Sequence, residues 1–300
     1  MDDRKPRPLP RLISAALALA CVGLFACGGP VRRLEQARDL ALSGHARAAF
    51  LEAKAILFSI GRERSAELDQ VRRGTLKLAG DLCALHLDDP RCAAREYREL
   101  VKTFPESPEA FEARARLGDL DLRNGNVKAA IEAFRDQVAA APDRVGADTA
   151  QLKIARALVD LGDHAEARRA VAELLSRWAT SALRPGAALL AASTHHLEGR
   201  HVEAVKAYKA VAAQFTGTPQ SAEALFELGN CLVEQGDDDK AVPAFTAALA
   251  KHREPEVVQF ALERAQRRLH LGRSVDPRDR AAVFDRSYAR SASPTTTSDL

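Results

Sequence analysis

The chain has 300 residues, with 44 Lys and Arg against 41 Asp and Glu and a formal net charge of +3. A balance so close to neutral argues against nucleic acid as the main partner, because that work needs a concentrated basic surface. Trp178 is the one tryptophan, beside three Tyr and eleven Phe, and this scarcity weighs against an aromatic-lined solute or glycan cavity.

Arg4, Lys5, Arg7 and Arg11 form a basic n-region, and Leu12 to Ala26 is an almost unbroken apolar run. The run is too short for a permanent membrane span, so residues 1–26 read as a lipoprotein export signal, with an ordinary secretory peptide or an uncleaved anchor as the alternatives. Its end, Leu24-Phe25-Ala26-Cys27, resembles a bacterial lipobox. That resemblance implies cleavage before Cys27 and lipid on the new N-terminal cysteine. Gly28 in place of aspartate resembles lipoproteins sent to the outer membrane, facing the periplasm. Such an anchor carries more than one acyl chain, so attachment is stable. Loss of residues 1–26 leaves 40 basic and 39 acidic residues.

Residues 27–66 hold the N-terminus, a degenerate first repeat from Val31 to Leu57 with Gly44, Ala49 and Ala53, and the start of an insertion. Five repeats then occupy residues 67–255. Their frame is set by Gly125, Gly162, Gly199 and Gly236, which recur every 37 positions. Each is followed at a fixed offset by Ala130, Ala167, Ala204 or Ala241, then by Phe134, Val171, Tyr208 or Phe245. One step before Gly125 stands Asp88, where the turn glycine is lost although Ala93, Tyr97 and Leu100 keep the frame. Pro105 should stop one helix, Ser107 should cap the next, and Pro108 suits its first turn. Thr218-Pro219 repeats this arrangement three periods later. Residues 256–272 read as an amphipathic capping helix, and 273–300, rich in Arg, Asp, Ser, Pro and Thr, as a flexible tail.

The last repeat is the clearest, with Leu225, Leu228-Gly229, Leu232, Gly236, Ala241, Phe245 and Ala248. Leu225, Leu228 and Leu232 fall on one face of a helix, Gly236 permits the turn, and the following residues stripe a second helix. This pattern resembles the tetratricopeptide repeat. The fold expected is therefore all-α, a right-handed superhelical solenoid of antiparallel helix pairs. The phrase from Tyr97 to Pro108, followed by Ala113, Leu117-Gly118 and Gly125, resembles repeats of two envelope families. One is the outer-membrane assembly lipoprotein BamD, and the other is the repeat domain of the Tol–Pal-associated periplasmic protein. The resemblance implies a scaffold of the cell envelope, with a part in outer-membrane protein assembly.

In such arrays the first helix of each pair lines the concave groove. Outward positions there are Arg116, Asp119, Arg123, Lys153, Arg156, Asp160, His196, Phe226, Asn230 and Glu234. Arg116, Lys153 and Arg156 suggest a basic stretch for acidic side chains or a carboxyl terminus of a bound peptide. Asn230 suits a peptide backbone, and Phe226 either an apolar side chain or packing between repeats.

No enzyme is expected, since no phosphate loop or nucleophile elbow occurs, and no cofactor follows. His195, His196 and His201 cluster, but Gly199 puts a turn between them and no His-x-x-x-His pair with a third ligand is present, so no metal is expected. Cys83 and Cys92 flank the short link at Leu87–Pro90. An oxidising compartment permits a disulfide there, while two small buried hydrophobes fit the same pattern. Cys231 has no evident partner and reads as buried. The leading function is a lipid-anchored periplasmic scaffold for proteins or extended peptides. A recruiting or regulatory subunit of a cell-wall-active enzyme, and a solute- or glycan-binding module, are the alternatives.

Overall fold

The computed structural model describes residues 29–274. The export signal, Cys27 and residues 275–300 lie outside the described residues. Two compact units divide the chain, Met1–Ala150 and Gln151–Leu300.

In the first unit, α1 (Pro30–Leu42) pairs with α2 (Ala46–Ile60), α3 (Ala66–Leu85) with α4 (Pro90–Thr103), and α5 (Pro108–Arg123) with α6 (Val127–Ala140). The division between units falls inside α7 (Ala147–Asp160), which is followed by α8 (His164–Arg177). In the second unit, α9 (Arg184–Leu197) pairs with α10 (His201–Gln214) and α11 (Pro219–Glu234) with α12 (Asp238–Ala248). The last described helix is α13 (Pro255–Ser274). Both units are thus all-α stacks of antiparallel hairpins. No helix among the described residues is long and apolar enough to cross a membrane.

Helix ends follow the local chemistry. Ser107 accepts a hydrogen bond from the Ala110 N–H at 3.1 Å, and Thr218 from Ser221 at 3.1 Å, each with proline in the first turn. These caps satisfy amides that have no partner within their own helix. At the end of α5, the Asn126 N–H reaches the Asp121 carbonyl and the Gly125 N–H that of Leu122, with Gly125 at φ +75. This is a Schellman closure, and its left-handed residue favours glycine.

The link from α3 to α4 makes its turn without glycine. Asp88 takes φ +50 itself, and the Asp89 N–H bonds to the Cys83 carbonyl at 2.9 Å. A short polar side chain tolerates this conformation better than most. Asp89 then caps α4 by accepting from the Cys92 N–H at 2.9 Å.

Within a pair, a glycine of the first helix, preceded by Leu in two cases and by Ala79 in the third, meets the aromatic of the partner helix. A Cβ on Gly118 would lie 2.5 Å from the Phe134 ring, and one on Gly80 2.5 Å from Tyr97. Gly229 stands in the same relation to Phe245. Small and large residues therefore interlock at the crossing, which is how helices close to interior density. In the first unit the core gathers Leu76, Tyr97, Leu100, Leu117 and Leu120, with Leu34, Ile56 and Val71 forming a second cluster. The Tyr97 hydroxyl is satisfied by Asp81 at 2.6 Å. In the second unit Val258, Leu262 and Ala265 of α13 join Leu228, Leu232 and Phe245. That burial stops the stack with a helix whose other face is exposed.

The first pair is more regular than the sequence suggested. Ala49 and Ala53 are fully buried in α2, and Gly44 turns at φ +82. The slip after it is taken up by the Gly61–Ser65 link and by α3, which has 20 residues where α5 has 16. Arg72 fixes the link, donating to the carbonyls of Gly61 and Glu63 at 3.0 and 2.9 Å and to Asp69 at 2.8 Å.

Candidate functional site

Arg116, Asp119 and Arg123 lie along one face of α5. Together with Leu85 of α3 and Tyr97 of α4 they line a depression of about 410 Å³. Arg116 and Arg123 are exposed, and Asp119 is half-buried. The structure therefore assembles all three candidates of this helix on one surface. A second hollow of about 570 Å³ lies among α2, α3 and α4. On its wall Glu96, nearly buried, is met by Lys54 and Arg95 at 3.0 Å each. A buried carboxylate needs such partners, so this cluster holds the hairpins together. The 37-residue frame gives no sign of it, because Lys54 of α2 and Glu96 of α4 come from different pairs and meet only when these pack.

In the second unit, a cavity of about 450 Å³ has Leu189 and Leu190 on its walls, with Arg156, His196, Glu223 and Glu227 supplying charge. It belongs to α7, α9, α10 and α11, and the Tyr208 ring also lines it. Arg156 and Asp160 are exposed on α7, whereas Lys153 is half-buried and already engaged. Burial pushes the Glu227 carboxyl above its ordinary range, against a hydrogen bond from Asn230 that lowers it. Two carboxylates beside Arg156 offset the basic character read from the sequence at this point. The wall mixes aliphatic surface with both signs of charge, which suits a peptide segment more than a simple anion.

Phe226 is half-buried, with its ring 5.8 Å from Phe245 and 5.0 Å from His252. His252 in turn meets Glu223 at 3.0 Å. Phe226 thus packs against the partner helix of its own pair and the segment that follows it.

The helix ends bring together residues that the sequence kept apart. His196 Nδ1 lies 3.4 Å from Cys231 Sγ and 3.8 Å from Glu234 Oε2, and His201 Nδ1 lies 3.5 Å from the same carboxylate oxygen. Cys231 is buried, and desolvation raises its thiol pKa to about 11. The sequence reading of no metal constellation looked for spacing along one helix. Here α9, α10 and α11 each contribute.

Cys83 ends up late in α3 and Cys92 early in α4, with Cα atoms 5.8 Å apart and the sulfurs at bonding distance. The pair straddles the turn at Asp88, and Arg95 points a guanidinium nitrogen at Cys92 from 3.7 Å.

Tetratricopeptide-repeat sequences match residues 84–145, 152–219 and 203–254 of the chain. No curated protein matches it. Among solved structures, MamA protein is 20% identical, covering 61% of this chain and 93% of its own, with a TM-score of 0.48. The Naa15/Naa10 complex bound to HypK-THB gives 16% identity over 86% of this chain and 36% of that one, with a TM-score of 0.51. PilF of Pseudomonas aeruginosa gives 14% identity over 80% of this chain and 97% of its own, with a TM-score of 0.47. These are likenesses of fold.

Proposed function

Because this chain belongs to the tetratricopeptide-repeat family, a family of binding scaffolds without catalytic machinery, we propose that it is a lipid-anchored scaffold of the bacterial envelope. In this reading Cys27 carries the lipid, the repeats face the periplasm, and a partner protein or extended peptide is held in the groove. The anchoring rests on the basic n-region, the apolar run and the Leu24–Cys27 segment. A part in outer-membrane protein assembly rests on the phrase from Tyr97 to Pro108.

The observation that carries the binding role is the cavity of the second unit, with leucines and charged side chains on the same walls. Aliphatic surface supplies most of the affinity in such grooves, and the charged rim sets register and orientation.

Two experiments test the proposal. Radiolabelled palmitate should label the wild-type protein and fail to label Cys27→Ser; labelling that persists in the variant contradicts the anchor. Capture of partners by the membrane-bound protein should change when Arg116, Lys153 and Arg156 are all replaced by glutamate. An unchanged set of partners contradicts the groove.

A further inference from the structure

We infer that His196, His201 and Glu234, with Cys231 beside His196 as the fourth donor, form a binding site for a divalent first-row transition metal, typified by Zn²⁺. The argument begins with donor geometry. Side-chain donors of His196, His201 and Glu234 all lie within 4.8 Å of one another. The individual separations are 3.8 Å from His196 Nδ1 to Glu234 Oε2 and 3.5 Å from His201 Nδ1 to the same oxygen. The fourth donor, Cys231 Sγ, is 3.4 Å from His196 Nδ1. Tetrahedral zinc takes bonds of about 2.0–2.1 Å to nitrogen and about 2.3 Å to sulfur, so neighbouring ligands stand about 3.3–3.6 Å apart. The two separations from the carboxylate and the one from His196 to Cys231 approach those edges, whereas Cys231 stands outside the 4.8 Å group formed by the other three and needs a side-chain rotation to join it.

The fold places these donors. His196 lies in the last turn of α9, His201 opens α10, and Cys231 and Glu234 sit one turn apart at the end of α11. Two helix C-termini converge here and their partial negative charge favours a cation, opposed in part by the N-terminus of α10. Neighbouring guanidinium groups are turned to carboxylates: Arg168 pairs with Glu198, and Arg200 with Glu198 and Glu203. His196 and His201 meet edge to face, at 5.8 Å and 76°, and are not stacked. Imidazole, thiolate and a single carboxylate select zinc, nickel or copper over magnesium and calcium, which prefer oxygen ligands. When the metal binds, the thiol proton leaves to solvent and the sulfur takes its place on the cation.

Such a site ties the α9–α10 hairpin to the next helix pair and stabilises the second unit by mass action. His196 also faces the 450 Å³ cavity, so an occupied site would fix one of its walls. None of this depends on the anchor or on the identity of a partner.

The test uses the purified full chain, stripped of metal with a chelator and kept reduced. Titration with Zn²⁺ should show one equivalent bound and a rise in Tm, while Mg²⁺ should do neither. His201→Ala and Glu234→Gln change exposed side chains, so both should keep the wild-type helical circular dichroism. Each should weaken Zn²⁺ binding at least tenfold and remove the rise in Tm. Co²⁺ should give the absorption of a tetrahedral site with a sulfur-to-cobalt charge-transfer band that Cys231→Ser abolishes. Absence of stoichiometric binding, or affinity unchanged in both folded variants, overturns the site. A cobalt complex without the charge-transfer band overturns the assignment of Cys231 as a ligand.

Discussion

Asp88 holds a left-handed backbone, φ +50, at the place where Gly125 and Gly236 turn at +75 and +79. A residue with a Cβ pays for that conformation, by about 1 kcal/mol, and glycine does not. Asp88→Gly should therefore raise stability by up to about 1 kcal/mol, less the extra freedom glycine gives the unfolded chain. Denaturant unfolding of the reduced and oxidised proteins measures it; a clear loss would mean that the aspartate side chain holds the turn. Glu227 offers a pH test. Burial raises its pKa above the ordinary 4.5, and Glu223 and Glu234 act in the same direction while His196 opposes them. A carboxyl whose folded pKa is raised adds stability fully below its unfolded pKa and loses it as pH rises through the folded value. Glu227→Gln should accordingly raise Tm at pH 7, with the gain shrinking towards pH 4. An equal gain at both values would show that charge is not the cause. At this scale the sequence was readable where one residue type has one use, as with Ser107 and Thr218 at caps. It was opaque at Asp88, because a conformation is not written in the name of a residue that merely tolerates it.

The helix pair is the element that repeats, and its closeness depends on a glycine facing a ring. Gly118→Ala would drive a methyl to within 2.5 Å of the Phe134 ring carbons. The ring sits in a filled core and cannot simply swing away, so a loss of about 1–3 kcal/mol is expected. Gly125→Ala offers a contrast, since nothing lies within 4 Å of its would-be Cβ and the strain there is in the backbone alone. The pair of α3 and α4 carries the cysteines. Their sequence separation is nine, and cross-linking so short a loop stabilises by about 2–3 kcal/mol in the chain-entropy account. A lower Tm under reductant, absent in the Cys83→Ser/Cys92→Ser variant, is the expected signature. Equal melting with and without reductant in the wild type would mean the bond contributes nothing. The glycine period made the pairs legible because each glycine marks the same turn. The first pair was faint because α3 is lengthened and the link before it is irregular, which breaks the count without breaking the packing.

For the whole molecule, repetition explains why the function is binding. A stack of hairpins buries its small residues between helices and leaves open faces lined by the first helix of each pair. Within the second unit, that arrangement brings Arg156, His196 and Glu227 to one cavity from three helices. Arg156 and His196 were readable from the helical face; Glu223 and Glu227 were missed because their helix was read mainly through Phe226 and Asn230. The histidines were visible as neighbours, but Cys231 and Glu234 join them only where the next helix pair packs. The most direct test of the scaffold claim is photo-crosslinking in cells, with the reactive residue placed at Leu190 in the cavity or at exposed Val202 on α10. The account predicts a discrete partner adduct from Leu190, diminished by Arg156→Glu, and none in common with Val202. Identical adducts from both positions, or none from Leu190, would contradict it.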